Sequence, residues 1–526
     1  MVPHNLYWGE AHHNTYQFGR QSPSISEICE IAANHLDFYG AAYYTACADA
    51  FERGGHPGEH RGKQDLILER WKEAAQLVSE WAEVEQATAH HHRPGKFVTF
   101  PGYEWQGDGR CGDHNVIHFE EGHPIVRVMT VEELYEKLRP IRAVAIPHHT
   151  AYMPGYRSPR WSSCNERLSP FVEIFSVHGC SETDEEWIGL RQNPLMGPGT
   201  AGSTYQEALD LGLHLGAICS TDNWSNMPGC YGQGLMGVWS EQLNRESLWE
   251  AFAARRVYGV SGDRIKLEFT VNNFPMGSIG KVSGKRTIAV KVVGSDALDR
   301  IEILRNGQVL SSHCHQGTWS PPRPGRRGRF KWRIEAGWGP PSNVLDLGDR
   351  TWQGKLSVAG AKMLGWEPCW ITPSQQRPSL SAEHATFTMC SSASTVHAPH
   401  QNATVFEFES ASDAPCRLEL NGLVHESTVL ECAGASRIMR FTDECVQMLE
   451  SHFDLKPHSH ERADPYHAMA YRAKLHRIIP EAGYNAEFVY EDDDRLSGET
   501  HYRVRVEQRN GQRAWSSPIW IVGRDR

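Results

Sequence analysis

A chain of 526 residues is too long for one ordinary hydrophobic core, so two or three domains are expected. Its 40% apolar and 22% charged residues, with no run of about 18 apolar ones, exclude a disordered chain and a membrane-spanning helix. The net charge of −11 argues against capture of a nucleic-acid backbone.

The opening Met1-Val2-Pro3-His4-Asn5-Leu6 carries no basic region followed by an apolar one, so no secretory signal is expected. A short apolar run then ends in Glu10-Ala11-His12. Ser24, with Glu27 three residues on, forms a capping box that opens a helix before Leu36-Asp37-Phe38. Ile67, Trp71, Ala74, Val78 and Trp81 recur at helical spacing and predict a long amphipathic helix over 64–89. Strand patterns follow in Phe97–Glu104, after the loop Gly112-Asp113-His114, and in Ala143–Pro147, which leads into His148-His149. Two more are Phe171–His178 and Leu215–Asp222. Thr130 with Glu133 opens a further helix, and Asn244 caps one running through Leu248, Trp249 and Phe252.

The character changes after Tyr258. Residues 264–310 and 502–508 alternate as strands, which predicts a β-sandwich built largely after 263, with an irregular, partly helical insertion near 430–475. The basic cluster Arg323, Arg326, Arg327 and Arg329 lies in a Pro/Gly-rich stretch and reads as a solvated loop. Thirteen cysteines without CxxC pairs read as thiols kept reduced, and a cytoplasmic location is expected.

Up to residue 262 helical and strand patterns alternate, the signature of a βα domain with a parallel sheet. Six apolar runs in that region end at or beside His, Glu or Asp, as a metal site at one mouth of an α/β barrel requires. Such side chains bind Mn²⁺, Zn²⁺ or Fe²⁺ through nitrogen and oxygen. The ion would lower the pKa of a bound water to about 7 and make hydroxide available for hydrolysis.

These motifs resemble in order those of the PHP superfamily, the polymerase and histidinol phosphatase metallohydrolases, and most closely its branch catalogued as domain of unknown function 3604. The most specific stretches are Pro101–Trp105, Gly112–Val116, Ile146–Thr150, Val177–Glu182 and Arg255–Arg264, with a return at Asn510–Trp520. The resemblance implies a distorted (β/α)7 barrel over 1–262, followed by the β-sandwich domain over 263–526. It implies metal ligands at His12, Asn14, Glu104, His114, His149 and Asp222, with His148 the alternative to His149; Asn14 could instead orient a neighbouring ligand. Two histidines that serve a third metal in the superfamily are replaced here by residues of the Ala42-Tyr43-Tyr44 and Asp222-Asn223-Trp224 stretches. One or two divalent ions are therefore expected, and no organic cofactor.

His178, at a strand end, is the first choice for a general acid, with His148 and His13 behind it. Tyr43, Tyr44, Arg157, Arg160 and Trp224 are candidates for substrate contact, and Arg191 lies in a segment of the same kind. Single histidines such as His35, His118 and His214 read as satisfied structural residues. The expected activity is metal-dependent hydrolysis of a small organic substrate, either a phosphoester or a lactone, amide or ester. The expected partners are that small molecule and a second copy through the β-domain, with no nucleic acid and no membrane. A barrel that binds a metal or carbohydrate without turnover is the alternative.

Overall fold

The computed structural model describes residues 4–16, 23–45, 72–186, 188–190, 196–316, 322–339, 342, 348–392, 400–453, 470–496 and 498–523. Residues 64–71 of the predicted long helix and Arg191 lie outside these. In chain order the first half contains β1 (Asn5–Thr15), α1 (Ile25–Ala33), β2 (Phe38–Tyr44), α2 (Ala74–His91), β3 (Val98–Phe100), β4 (Gly102–Trp105) and β5 (His114–His118). It continues through α3 (Val131–Leu138), β6 (Ala143–Pro147), β7 (Phe171–Ser176), β8 (Gly179–Cys180) and α4 (Tyr205–Asp210). The last elements are β9 (Gly216–Cys219), β10 (Leu235–Ser240), α5 (Arg245–Ala253) and β11 (Val257–Val260).

The capping signals act as the sequence predicts, whereas Ala74 and Val78 of the predicted apolar stripe are exposed. Ser24 and Thr130 form reciprocal capping boxes with Glu27 and Glu133, and Asn244 caps α5 through the amide of Ser247. The buried stripe of α2 is Leu77, Trp81, Val84, Thr88 and His91, which leaves Val78 facing solvent.

The expected (β/α)7 barrel is overturned: the described residues are mostly β, 44% strand and 17% helix, and such a barrel is not shown. A βα barrel needs each helix to carry the chain to a parallel neighbour. Here β1 and β2 pair in parallel, as do β2 and β4, but β4–β5, β5–β6, β1–β10 and β10–β11 are antiparallel. No helix separates β3 from β4, and α5 joins two antiparallel strands. Helix and strand alternate along the chain, but that alternation does not fix strand direction.

The 14-stranded sheet that holds β1 also draws strands from the other end of the chain. Its order runs Ile279–Val282, Ile519–Gly523, Glu499–Gln508, Arg513–Ser516, β11, β10, β1, β2, β4, β5, β6. One hydrophobic core accordingly contains Ile28 and Trp81 together with Ile265, Val504 and Ile521. β7, β8 and β9 form a separate small sheet. It approaches β11 closely, because a Cβ on Gly259 would stand 2.6 Å from the backbone nitrogen of Cys219. Between residues 327 and 480 two further antiparallel sheets share a second core around Trp332, Trp352, Phe406 and Leu418. Among the described residues no helix is long and apolar enough to cross a membrane.

Buried ion pairs bind the sequence-distant pieces. Asp263 accepts from Arg333 Nη2 on both oxygens at 2.8 Å and takes further hydrogen bonds from Gln508 and Asn510 at 2.7 and 2.6 Å. Glu182 accepts from Arg503 at 2.8 Å and from Trp515 Nε1 at 2.9 Å. The Val177–Glu182, Arg255–Arg264 and Asn510–Trp520 stretches are thus tied into one scaffold.

His118 is structural but not satisfied. It packs against Trp81 and Tyr103, and neither ring nitrogen has a hydrogen-bond partner among the described residues. Burial pushes its pKa from 6.5 down to about 3. The unfolded chain therefore takes up a proton below 6.5 that the folded chain refuses until about 3. Stability falls as pH drops through that window, by up to about 1.4 kcal/mol per pH unit. His118→Phe removes this contribution, so its urea midpoint should fall less than that of the wild type between about pH 7 and pH 5. Equal slopes for the two proteins would contradict it.

Candidate metal centre

The site is assembled by the backbone of β1 and the segment after β9. Glu10 turns its carboxylate onto three amides, those of His12 at 2.8 Å, Thr221 at 3.2 Å and Gly229 at 3.0 Å. Burial raises this carboxyl to about 7 against the pull of those amides. The amide of Asp222 donates to the carbonyl of His12 at 2.8 Å, and that of Asn14 to the carbonyl of Asn223 at 2.8 Å. His12 and Asp222 are thereby held side by side. Asp222 (φ 48°) and His149 (φ 37°) both adopt left-handed backbone, a strain of about 1–3 kcal/mol each that structure elsewhere must offset.

Four imidazoles follow one another through the pocket: the rings of His12 and His148 are 4.2 Å apart, His148 and His149 4.3 Å, and His149 and His178 5.0 Å. Carboxylates interleave with them. Asp222 Oδ1 lies 3.3 Å from His12 Nε2 and Oδ2 lies 3.3 Å from His178 Nε2. Glu104 stands between two rings, 3.8 Å from His12 Nε2 and 4.0 Å from His148 Nε2. Asp113 Oδ2 is 3.5 Å from His149 Nε2, and its other oxygen accepts from Arg157 Nη1 at 2.6 Å. Two buried trios bring ligand atoms within 4.8 Å of one another: His12, His148 and Asp222, and Asp113, His148 and His149. His148 belongs to both.

Around these stand groups that fix them. His12 Nδ1 donates to Glu173 Oε2 at 3.0 Å, the carboxylate–imidazole pairing that orients a metal-bound histidine. Asn14 Nδ2 donates to Asp222 Oδ1 at 3.2 Å, which makes it an orienting group, while its Oδ1 stays unpartnered among the described residues. Gln106 Nε2 donates to Glu104 Oε1 at 2.8 Å and reaches the Tyr44 hydroxyl at 2.9 Å. Tyr152 Oη and His178 Nδ1 share a hydrogen bond of 2.8 Å.

Strand parity decides which member of Gly112-Asp113-His114 enters the site. Side chains alternate across β5. His114, Val116 and His118 turn toward α2, α3 and their surroundings; His114 Nε2 meets the Tyr135 hydroxyl at 3.3 Å, and burial pushes its pKa down to about 4. Asp113 takes the opposite face, and Asn115 beside it donates to the carbonyl of Ala11. The same rule turns His13 away from His12, toward Tyr39 Oη at 3.1 Å and the carbonyl of Ser225. It also separates Tyr43 from Tyr44: Tyr43 donates to Glu80 at 2.7 Å beneath Lys72. Arg160 is on the surface, paired with Glu132. Trp224, two residues after Asp222, is 47% exposed.

The structure thus brings together His12, Asn14, Glu104, His148, His149, His178 and Asp222, with Tyr44 and Arg157 at the edge. It leaves His13, His114, Tyr43 and Arg160 elsewhere. Asp113, Glu173, Glu10 and Gln106 are site residues that sequence reasoning missed. For Glu173 a signal existed, since an acid in the middle of the apolar run Phe171–Val177 must find a buried partner.

Electrostatically the cluster is in conflict with itself. Burial opposes charge on His12, yet the carboxylates of Asp222 and Glu173 hold it well above the usual histidine value. Burial pushes Asp222 well above the usual carboxylate range. His148 and His149 are pushed well below theirs by burial and by the imidazoles around them. Among the described residues, His12 Nε2, Glu104 Oε2, Asp222 Oδ2, both nitrogens of His148, His149 Nδ1 and Glu173 Oε1 lack a hydrogen-bond partner. Buried polar atoms rarely go unpartnered, and here they converge. Nitrogen and carboxylate donors in this arrangement fit a divalent cation.

Comparison with known proteins gives the following. Residues 204–282 match the family described as "Protein of unknown function (DUF3604)". An uncharacterized protein of Chlamydia pneumoniae is 27% identical over 255 residues, 44% of this chain and 40% of the relative. One of Chlamydia trachomatis serovar D is 26% identical over 260 residues, 44% of this chain and 41% of the relative. The chain thus spans 40% and 41% of the length of these two curated relatives. Among solved structures, a two-domain protein containing a predicted PHP-like metal-dependent phosphoesterase, from Bacteroides vulgatus, aligns with 61% of this chain and 84% of its own. The sequence identity there is 12% and the TM-score 0.32.

Proposed function

We propose that this protein is a metal-dependent hydrolase acting on a small organic substrate. The observation that carries the reading is the set of unpartnered buried donors shared by His12, Glu104, His148, His149 and Asp222. His12, Asp222 and Glu104 would hold one divalent ion, and Asp113, His148 and His149 a second, with Glu104 between them. Such ions supply, when bound, Lewis acidity and a water whose pKa is lowered to about 7.

The protein's own groups do the rest. Glu173 keeps the Nδ1 proton of His12 in place, so that Nε2 faces the pocket as an acceptor. Asn14 and Gln106 fix the carboxylates of Asp222 and Glu104. Arg157 commits Nη1 to Asp113, which holds its guanidinium at the edge of the site. A guanidinium fork so placed suits a substrate carrying a phosphate or carboxylate near the scissile bond. Tyr44 and Trp224 would line the entrance. His178, bonded to Tyr152 on one nitrogen and facing Asp222 with the other, is the proposed proton donor to the leaving group.

Two tests follow. Protein loaded with Mn²⁺, Zn²⁺ or Fe²⁺ is assayed against phosphomonoesters and against carboxylate-bearing lactones, amides and esters. One class should be turned over, and Glu104→Gln should abolish that turnover while the far-ultraviolet spectrum is unchanged. A panel left wholly intact by all three metal forms would argue for binding without catalysis. The second test separates the neighbours on β5. Asp113→Asn should reduce metal affinity by about 100-fold or more, whereas His114→Phe should leave it nearly unchanged. The reverse ranking would show that the side chains of this strand are placed the other way round.

A further inference from the structure

We propose that Cys416 and Cys432, held together by Ser427, form a redox-active thiol pair that closes to a disulfide when a hydroperoxide reaches it. The pair lies far along the chain from the metal centre. Cys416 is on the strand Pro415–Leu420, directly opposite Ser427 on the strand Leu423–Thr428. Thr428 then caps the helix Val429–Gly434 in a capping box with Glu431, and this turn returns Cys432 to the hairpin.

The two sulfurs are 4.0 Å apart. The Ser427 hydroxyl stands 3.1 Å from Cys416 Sγ and 2.9 Å from Cys432 Sγ. His425, on the same strand, also favours the Cys432 thiolate by its charge. The surroundings are otherwise apolar, with Ala414, Leu418, Leu420 and Val429 in the same core. Thiols that serve only as packing need neither a hydroxyl nor an imidazole beside them. A disulfide requires the sulfurs to approach by about 2 Å more, within reach of a side-chain rotation.

Both cysteines are buried, at 3% and 2% exposure, but Leu423–Thr428 is the terminal strand of its sheet and exposes Leu423 and Val424. Fraying of a terminal strand admits a small oxidant at little cost. Contact with Cys416, against burial, and then the Ser427 hydroxyl and the His425 imidazole hold the Cys432 thiol below its ordinary value. The Cys416 thiol is pushed up by the same contact with Cys432 and by burial. Cys432, which has the nearer Ser427 hydroxyl at 2.9 Å, is assigned as the attacking sulfur and Cys416 as the resolving one.

The chemistry balances with a hydroperoxide as oxidant. The Cys432 thiolate attacks the O–O bond, an S–O bond forms, and hydroxide or alkoxide leaves and takes up a proton. Cys416 then attacks that sulfur, the S–S bond forms, the S–O bond breaks, and the departing hydroxide takes the Cys416 proton as water. Two thiols lose two electrons, and with hydrogen peroxide the oxidant becomes two waters.

The test uses the full chain, reduced and then freed of reductant. It is titrated with hydrogen peroxide, quenched with an alkylating agent in denaturant, and mapped by peptide mass spectrometry. A peptide pair linked through Cys416 and Cys432, lighter by two hydrogens and reversed by dithiothreitol, should appear before the exposed Cys314 is oxidised. Ser427→Ala should slow its appearance about tenfold, because the thiolate loses its nearest donor. Oxidation of Cys314 while Cys416 and Cys432 still accept the alkylating agent would overturn the proposal. So would sulfinic acid at Cys432 without a linked peptide, or an unchanged rate in Ser427→Ala.

Discussion

Glu104, Asp113, Glu173 and Asp222 are drawn out of water into one pocket with His12, His148, His149 and His178, and the rest of the N-terminal half is organised around holding them there. Unpaired buried charges cost several kcal/mol each. Among the described residues, the guanidinium of Arg157 at the edge of the cluster meets one of the four carboxylates, that of Asp113, by hydrogen bond. The imidazoles cannot all help, since each protonated ring disfavours charge on the next. A divalent ion would relieve both halves of the conflict at once, by neutralising the carboxylates and accepting the imidazole lone pairs.

The scaffold shows where the opposing stabilisation comes from. Glu10 fastens β1, the segment after β9 and the loop at Gly229 through the backbone amides of His12, Thr221 and Gly229, which helps fix the backbone at His12 and Asp222. Behind β1 the sheet continues through β10 and β11 into strands from the last 30 residues of the chain. Glu182 with Arg503, and Asp263 with Arg333, close that junction with buried charge pairs whose carboxylates accept several hydrogen bonds each. Residues beyond 262 are therefore part of what keeps the pocket rigid enough to tolerate left-handed backbone at His149 and Asp222.

Much of this was legible in the sequence, at the scale where local rules operate. The capping boxes at Ser24 and Thr130, the cap at Asn244, and the strands leading to His12, Glu104, His148 and Asp222 follow from spacing and turn chemistry. Strand direction did not follow, because an alternating helix and strand pattern is equally compatible with the antiparallel pairs β4–β5 and β1–β10. The barrel expectation failed on that point. At the site, parity was the missing information. Asp113 and His114 are both plausible ligands in a motif read as letters, and only the pleat of β5 assigns one to the pocket and the other to Tyr135. Glu10 and Gln106 act through contacts more than 200 residues away or through a neighbouring side chain, which no local pattern encodes.

The most direct test of the central claim is metal content by plasma mass spectrometry, on full-length protein purified without chelator or nickel resin. About one to two equivalents of manganese, zinc or iron per chain are predicted, released by chelator and taken up again on titration. A chain that carries no such ion, and binds none when it is offered, would contradict the account and leave the buried carboxylates of Glu104 and Asp222 to be explained by some other cation.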